Sequence, residues 1–309
     1  MTMKKTYKPQ WKIEIDEIHK RHIDNIQIDA VNGIAFHYTS PSGLLGMLSS
    51  NSIWFSDCDY LNDASESDYF LNLASRVFAR KSSSKMTKNF SFTSYLMAML
   101  HSNTTNSTRE SLARESERRY IFSLSVDEDT LPLWNNYTKT TDSTGYNIGF
   151  NINNLTSSIT LSENQTLLIG RVIYIEDYQE ELLNELKEDY LNLYKKYRNS
   201  YQRKYLYAAL EDNILVYSVF MKDAAFKCEN EFRIAIFEKG DISSNLKFRE
   251  KRGAFVPYIS KEFDLKSISS IMISPTTRAD FVKRSVTSMS NHFGIKDLEI
   301  KSSNIPLRY

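Results

Sequence analysis

The sequence predicts an α+β fold built on a mixed, largely antiparallel sheet with helical insertions. Runs of strand length recur along the chain, several late ones follow one another directly, and the long helical periodicities gather in the middle. A doubly wound protein would instead alternate strand and helix throughout. The 309 residues are 41% hydrophobic and 25% charged with only 9 Gly and 6 Pro, the balance of a globular chain with few flexible joints.

Taken in order, Ile13, Ile18 and Ile23 are too widely spaced for an apolar stripe, so residues 1–33 are expected to form an N-terminal arm or accessory helix. Residues 34–309 are expected to form a single α+β domain with helical insertions at about 81–119 and 177–222. Its first strand runs from Ile34 to Thr39; Ser40 then caps a helix whose first turn holds Pro41 and whose inner face carries Leu44, Leu45 and Leu48. A second strand covers Ile53-Trp54-Phe55. Asn62 or Asp63 can cap the following helix, which runs through Phe70, Leu73, Val77 and Phe78. Residues 81–119 are rich in Ser, Thr and Lys around an apolar island at 95–100, and are expected to be the most mobile part.

Strands are then expected at Tyr120–Val126, Gly145–Phe150 and Leu167–Ile175, with a short helix around Leu133–Tyr137. Leu183, Leu186, Tyr190, Leu193, Tyr197 and Tyr201 recur at helical spacing, predicting one helix from Tyr178 to about Tyr207 and a second from Ile214 to Met221. The strand Glu229–Phe237 should turn Phe232, Ile234 and Ile236 to one side and Glu229, Glu231 and Arg233 to the other. Strands near 254–259, 268–273 and 298–300, with a helix around 281–293, complete the pattern.

Lys plus Arg (39) and Asp plus Glu (38) nearly cancel, so no strong global field draws the chain to nucleic acid or an anionic membrane. The two cysteines, Cys58 and Cys228, are far apart and lack metal-ligand spacing, as free thiols of a reducing cytosol do. Met1–Gln10 is basic without the apolar stretch of a secretory signal, and no apolar run approaches the ~18 residues of a membrane span. A cytoplasmic, membrane-free protein is expected.

No glycine-rich phosphate loop, HExxH, CxxC or GxSxG occurs, so chemistry must come from scattered polar residues. Four clusters stand out: His37-Tyr38-Thr39, Asn62-Asp63 with Glu66, Ser123 with Ser125, and Glu229 with Glu231 and Arg233. Each also has a plain structural explanation. His37 fits a core or edge histidine, Asn62 or Asp63 a helix cap, and the serines a solvent-facing strand. The Glu229, Glu231 and Arg233 stripe fits a hydrated strand face with an ion pair of at most ~1 kcal/mol.

Together these residues resemble a bacterial family, domain of unknown function 2971. The resemblance is carried by Phe36-His37-Tyr38-Thr39, Ile53-Trp54-Phe55, Leu61-Asn62-Asp63 with Glu66, and Phe122-Ser123-Leu124-Ser125. It continues through Trp134 with Tyr137, Gly149-Phe150, Lys222-Asp223, Phe226, Glu229, Glu231 and Arg233. It spans about residues 34 to 275. Such proteins often accompany phage-defence genes, which implies an anti-phage effector or toxin role and a possible defence-system partner protein.

A looser resemblance is to the ADP-ribosyltransferase superfamily, whose members place Arg or His on an early strand, Ser-x-Ser or Tyr on a second, and a catalytic Glu, often as Glu-x-Glu, on a third. His37, Ser123-Leu124-Ser125 and Glu229-Asn230-Glu231 follow that order, although the Glu-x-Glu type usually carries Arg first. The resemblance implies an ADP-ribosyltransferase-like sheet and NAD as a consumed substrate. Breaking the nicotinamide–ribose bond develops an oxocarbenium ion, which a carboxylate stabilises. Glu231 is the candidate for that role and Glu229 for orienting or deprotonating the acceptor, while His37, Tyr38, Thr39, Ser123 and Ser125 would line the NAD site. Asn62, Asp63, Glu66, Trp134, Tyr137, Lys222 and Arg233 would support it. The acceptor is open between a protein, a nucleic acid and water; Lys81 to Lys88 and Tyr194 to Tyr207 are the segments that would suit nucleic acid. The alternatives are a metal-dependent nuclease using Asp63, Glu66, Glu229 and Glu231, and a non-enzymatic sensor or regulatory subunit.

Overall fold

The computed structural model describes residues 8–27, 33–60, 65–80, 92, 117–137, 144–240, 245–251, 253–276 and 278–306. The chain divides into two compact units, one comprising Asp29–Asn62, Ser116–Val172 and Ala225–Tyr309, the other Met1–Ile28, Asp63–Glu115 and Ile173–Ala224.

The first unit is a sheet of ten strands: β1 (Ile34–Thr39), β2 (Ser52–Asp57), β3 (Glu117–Ser125), β4 (Tyr146–Asn151), β5 (Gln165–Arg171), β6 (Glu231–Lys239), β7 (Lys247–Lys251), β8 (Ala254–Glu262), β9 (Ile268–Ile273) and β10 (Glu299–Ser302). Their order is β10-β9-β4-β1-β3-β2-β8-β7, with β6 branching from β3 and β5 pairing β6. Only β10 with β9 is parallel among these pairs. The class is therefore α+β with a largely antiparallel sheet, as the consecutive late strands predict.

One edge of β3 pairs with β6 along its whole length. The other edge is shared. β1 meets it at Ser125, opposite Phe36, and β2 meets it at Ile121 and Tyr120, opposite Ser56 and Asp57. Between those points Phe122, Ser123 and Leu124 have no strand partner on that side, so the sheet forks.

Strand alternation builds the core on one face. Tyr120, Phe122 and Leu124 of β3 meet Phe232, Ile234 and Ile236 of β6, and Ala35, Ile53, Phe55, Ile148 and Phe150 join the same cluster. Fully burying each such side chain stabilises by roughly 1.5–3 kcal/mol. The helix Pro41–Ser50 covers part of this face through Leu44 and Leu48, started by the Ser40 side chain accepting from the Gly43 amide at 3.1 Å and ended by left-handed Asn51.

The boundaries of β6 and β5 differ from expectation for identifiable reasons. β6 begins at Glu231 because the preceding residues Ala224–Glu229 form a 3₁₀ helix and Asn230 takes φ 41°, which breaks extended pairing. β5 ends at Arg171, although the Val172 amide still donates to the Glu231 carbonyl at 2.9 Å. β7 was not expected at all. Its sequence, Lys-Phe-Arg-Glu-Lys, is that of a charged strand at the end of the sheet order, where propensity is overridden by the need to discourage further pairing.

The second unit is helical: Gln10–Asp24, Ser65–Ala79, Glu176–Lys196 and Ser200–Phe220. The expected single helix from Tyr178 to Tyr207 is two. Tyr197 is extended, and the Asn199 side chain accepts from the Tyr201 amide at 2.8 Å to start the next helix, which continues through the expected Ile214–Met221 segment to Phe220. The helix Gln10–Asp24 is anchored by polar contacts that an apolar-stripe search misses. His22, 0% exposed, bonds the Tyr217 hydroxyl at 2.9 Å and Asp189 at 2.8 Å, while His19 and the Tyr190 hydroxyl both reach the Asn213 oxygen at 2.7 Å. Tyr197 and Tyr205 donate to Glu14 and Asp16, and Arg203 stacks over Tyr194, so these rings are engaged in helix packing. Lys81 to Lys88 lies outside the described residues.

Gly149, opposite Ser270 where the β4–β9 register shifts, has no room for a side chain: an added Cβ would meet Ser270 Oγ at 2.6 Å, Ser269 Oγ at 2.9 Å and the Phe36 ring at 3.2 Å. Gly149→Ala is expected to destabilise by about 1–3 kcal/mol in a denaturant titration. An unchanged midpoint would show that these neighbours yield freely.

Candidate active site

The face of β3 and β6 opposite the core carries charge. Direct cross-strand partners share a face, and the register sets Ser123 opposite Arg233 and Ser125 opposite Glu231. Arg233 grips Glu231 from two positions along the same strand, Nε to Oε1 and Nη2 to Oε2, both at 2.8 Å. Glu231 is 6% exposed and Arg233 1%. This overturns the expectation of a hydrated strand face: both charges are buried, and removing either would strand the other. Glu229 leaves the stripe, because the turn at Asn230 separates the 3₁₀ helix from the strand. Ser125, buried, pins that turn: its hydroxyl donates to the Glu229 carbonyl at 2.8 Å and accepts from the Asp127 amide at 3.1 Å. The Ser123 hydroxyl, by contrast, makes no hydrogen bond among the described residues.

The fork is filled by His37. Its Nδ1 lies 2.9 Å from the Ser123 carbonyl, and its ring stacks on Phe122 at 4.6 Å. A carbonyl only accepts, so Nδ1 carries the proton and Nε2 presents a lone pair. Burial pushes the imidazole pKa down to about 4, with Arg249 adding repulsion, so His37 is neutral at physiological pH. By alternation its side chain belongs to the core face with Ile148, not to the face of Ser123, Ser125 and Glu231. The gap in the sheet is what lets the ring reach the Ser123 carbonyl.

Beyond the fork the face continues over β2, β8 and β7. Arg249 Nη2 donates to Ser56 Oγ at 2.8 Å, and Trp54 stacks on Tyr258 with centroids 4.5 Å apart. Sequence reasoning did not single out Ser56, Arg249 or Tyr258. Arg249 sits in a charged edge strand, and only the fold reveals which way it reaches.

The remaining candidates fall elsewhere. Tyr38 and Trp134 pack edge-on at 4.7 Å in a small apolar cluster with Leu133 and Met272. The Tyr38 hydroxyl donates to the Asp127 carbonyl, and the Trp134 indole donates to Asp129. Burial raises the Tyr38 pKa. These are framework contacts for the loop after β3. Thr39 is buried against the first turn of Pro41–Ser50, where a Cβ on Gly43 would strike its hydroxyl. Tyr137 ends the helix Leu131–Tyr137. Lys222 belongs to the helical unit, its amide donating to the Ile173 carbonyl. Asn62 and Asp63 lie outside the described residues, as does the side chain of Glu66.

Asp57, Cys58 and Asp59 bring ligand atoms within 4.8 Å of one another. Arg118 meets Asp57 at 3.3 Å and Arg119 meets Asp59 at 3.1 Å, so guanidinium groups already supply positive charge there. Burial also pushes the Cys58 thiol up to about 12, away from the thiolate a metal needs.

Residues 133–234 match the model of a family described as a protein of unknown function (DUF2971). That segment contains Trp134, Gly149, Phe150, Lys222, Glu229, Glu231 and Arg233. No curated protein and no solved structure matches the chain.

Two measurements probe this geometry. Between pH 4 and 6.5 an unfolded chain protonates His37 while the native protein does not, so stability falls as pH drops through that window. His37→Gln should flatten this part of the stability–pH curve, by up to about 3 kcal/mol across it; a curve parallel to wild type would remove His37 from the fork's electrostatics. Arg233→Met, leaving Glu231 buried without its guanidinium, should cost about 3–5 kcal/mol in a denaturant titration, and Glu231→Gln in the same chain should recover part of the loss. A loss below about 1 kcal/mol would mean the pair is not the anchor of this face.

Proposed function

We propose that the chain is an NAD-consuming enzyme of ADP-ribosyltransferase type, transferring ADP-ribose to an acceptor or to water. The observation that carries the reading is the buried, two-point-held carboxylate of Glu231 at the head of β6, on the same face as Ser123, whose hydroxyl has no hydrogen bond among the described residues. The neutral acceptor nitrogen of His37 at the adjoining fork adds support.

The chemistry follows from these groups. The C1′–nitrogen bond to nicotinamide breaks, its electron pair leaves with the now neutral nicotinamide, and C1′ becomes an oxocarbenium. An acceptor adds at C1′ and loses its proton. Glu231 offers oriented lone pairs to ribose hydroxyls and negative charge to the cation. Arg233 fixes it in place while sharing its charge, so orientation is the larger part of its contribution. The His37 Nε2 accepts a ribose hydroxyl, and Ser123 bonds a second polar group of the substrate. Glu229, half-buried in the turn before Glu231, takes the acceptor's proton.

Purified protein incubated with NAD and no added metal is expected to release nicotinamide. Glu231→Gln should lower that rate by roughly a hundredfold to a thousandfold, with the folded fraction checked by thermal unfolding on the same preparation. Wild-type protein that leaves NAD intact, or a Glu231→Gln variant that keeps the wild-type rate, sinks the reading. Metal-dependent cutting of nucleic acid in its place would promote a nuclease.

A further inference from the structure

Arg249 is a half-buried guanidinium without a carboxylate partner among the described residues. Its one hydrogen bond is to the neutral hydroxyl of Ser56, and its Nε is shut away from solvent with no acceptor. Three other arginines of this unit have carboxylate partners, Arg233 with Glu231, Arg118 with Asp57 and Arg119 with Asp59, although the Nε atoms of Arg118 and Arg171 are, like that of Arg249, buried without an acceptor among the described residues. A charge withdrawn from water without a counter-ion is costly, and burial lowers the Arg249 pKa accordingly. The surroundings point to what compensates for it. Arg249 stands opposite Val256 of β8, on the face that carries Tyr258, Ser56 and Trp54, and the Ser56 that it bonds pairs with Ile121 of β3, where β2 borders the fork. Trp54, stacked on Tyr258, remains 44% exposed and offers a ring face beside that cation.

We infer that Arg249, held by Ser56, is an anion-binding residue that takes a phosphoryl group of the substrate next to the fork, with Trp54 and Tyr258 flanking it. This deepens the NAD reading by assigning the phosphate-recognising side of the same site, and it rests on the fork being that site. A guanidinium suits a phosphate because two N–H groups can meet two oxygens at once, and the two terminal nitrogens form such a pair. The Ser56 hydroxyl bonded to Nη2 fixes the plane of the fork of donors. It can also donate its own proton to the same anion.

Calorimetric titrations of the full chain with sodium pyrophosphate, ADP-ribose and adenosine test this directly. Wild type is expected to bind pyrophosphate and ADP-ribose, more weakly as salt rises, and adenosine far less well. Arg249→Gln should weaken both phosphate-bearing probes by about tenfold or more, and Ser56→Ala by less. Should Arg249→Gln fail to unfold cooperatively, Arg249→Lys replaces it, keeping the charge while losing the paired donors; weakened binding supports the assignment and undiminished binding overturns it. Wild-type affinity for pyrophosphate in Arg249→Gln, or equal binding of adenosine and ADP-ribose, also overturns it. The two proposals fail separately. Nicotinamide release with an unchanged KM for NAD in Arg249→Gln refutes the anion site and leaves the enzyme. Arg249-dependent ADP-ribose binding by a wild-type chain that never cleaves NAD refutes the enzyme and leaves the anion site.

Discussion

The pairing of β3 with β6, from Glu117 opposite Lys239 to Ser125 opposite Glu231, governs the rest of the sheet unit. Because partners share a face, one register decides at once that Phe122, Leu124, Phe232 and Ile234 enter the core and that Ser123, Ser125, Glu231 and Arg233 do not. A slip of one residue would drive Arg233 into that apolar cluster and expose Ile234. The buried Glu231–Arg233 pair thus does more than stabilise: it makes the wrong register expensive, since a slip would carry both charges together into the apolar cluster.

The same ladder explains why the fork matters. β3 is secured along one side by β6, so the other side is free to be divided between β1 and β2. At the division, backbone carbonyls would be left without partners, and the Ser123 carbonyl is met by an imidazole instead of an amide. His37 therefore serves as structure and as a source of chemistry through different nitrogens. Nδ1 replaces a missing ladder bond, and fixing that proton leaves Nε2 as an acceptor.

Much of this was legible in the sequence because the relevant signals are periodic. Alternation across Phe232, Ile234 and Ile236 gave the inner face of β6, Ser40-Pro41 gave a helix start, and the run of late strands gave the class. What stayed hidden depends on pairs of distant residues. Nothing local distinguishes Glu231, buried against Arg233, from Glu229, which a left-handed Asn230 turns off the strand. Tyr38 and Trp134 looked like pocket aromatics because residue type does not reveal that they pack on each other. The helix Gln10–Asp24 looked unanchored since its ties to Asp189, Asn213 and Tyr217 are polar and lie far along the chain.

The excursion between β5 and β6 carries one further consequence. Those strands pair directly, yet the chain between them builds two long helices, and it closes on itself where it leaves and rejoins the sheet. The Ile173 amide donates to the Phe220 carbonyl at 2.8 Å, the Lys222 amide donates back to the Ile173 carbonyl at 3.1 Å, and the Gln179 side chain donates to both the Ile173 and Lys222 carbonyls. Such a closed neck bears on the entropy of assembly. A loop this long loses considerable freedom when its ends meet, and the bonds that tie residue 173 to residues 220 and 222 hold those ends together independently of the β5–β6 ladder.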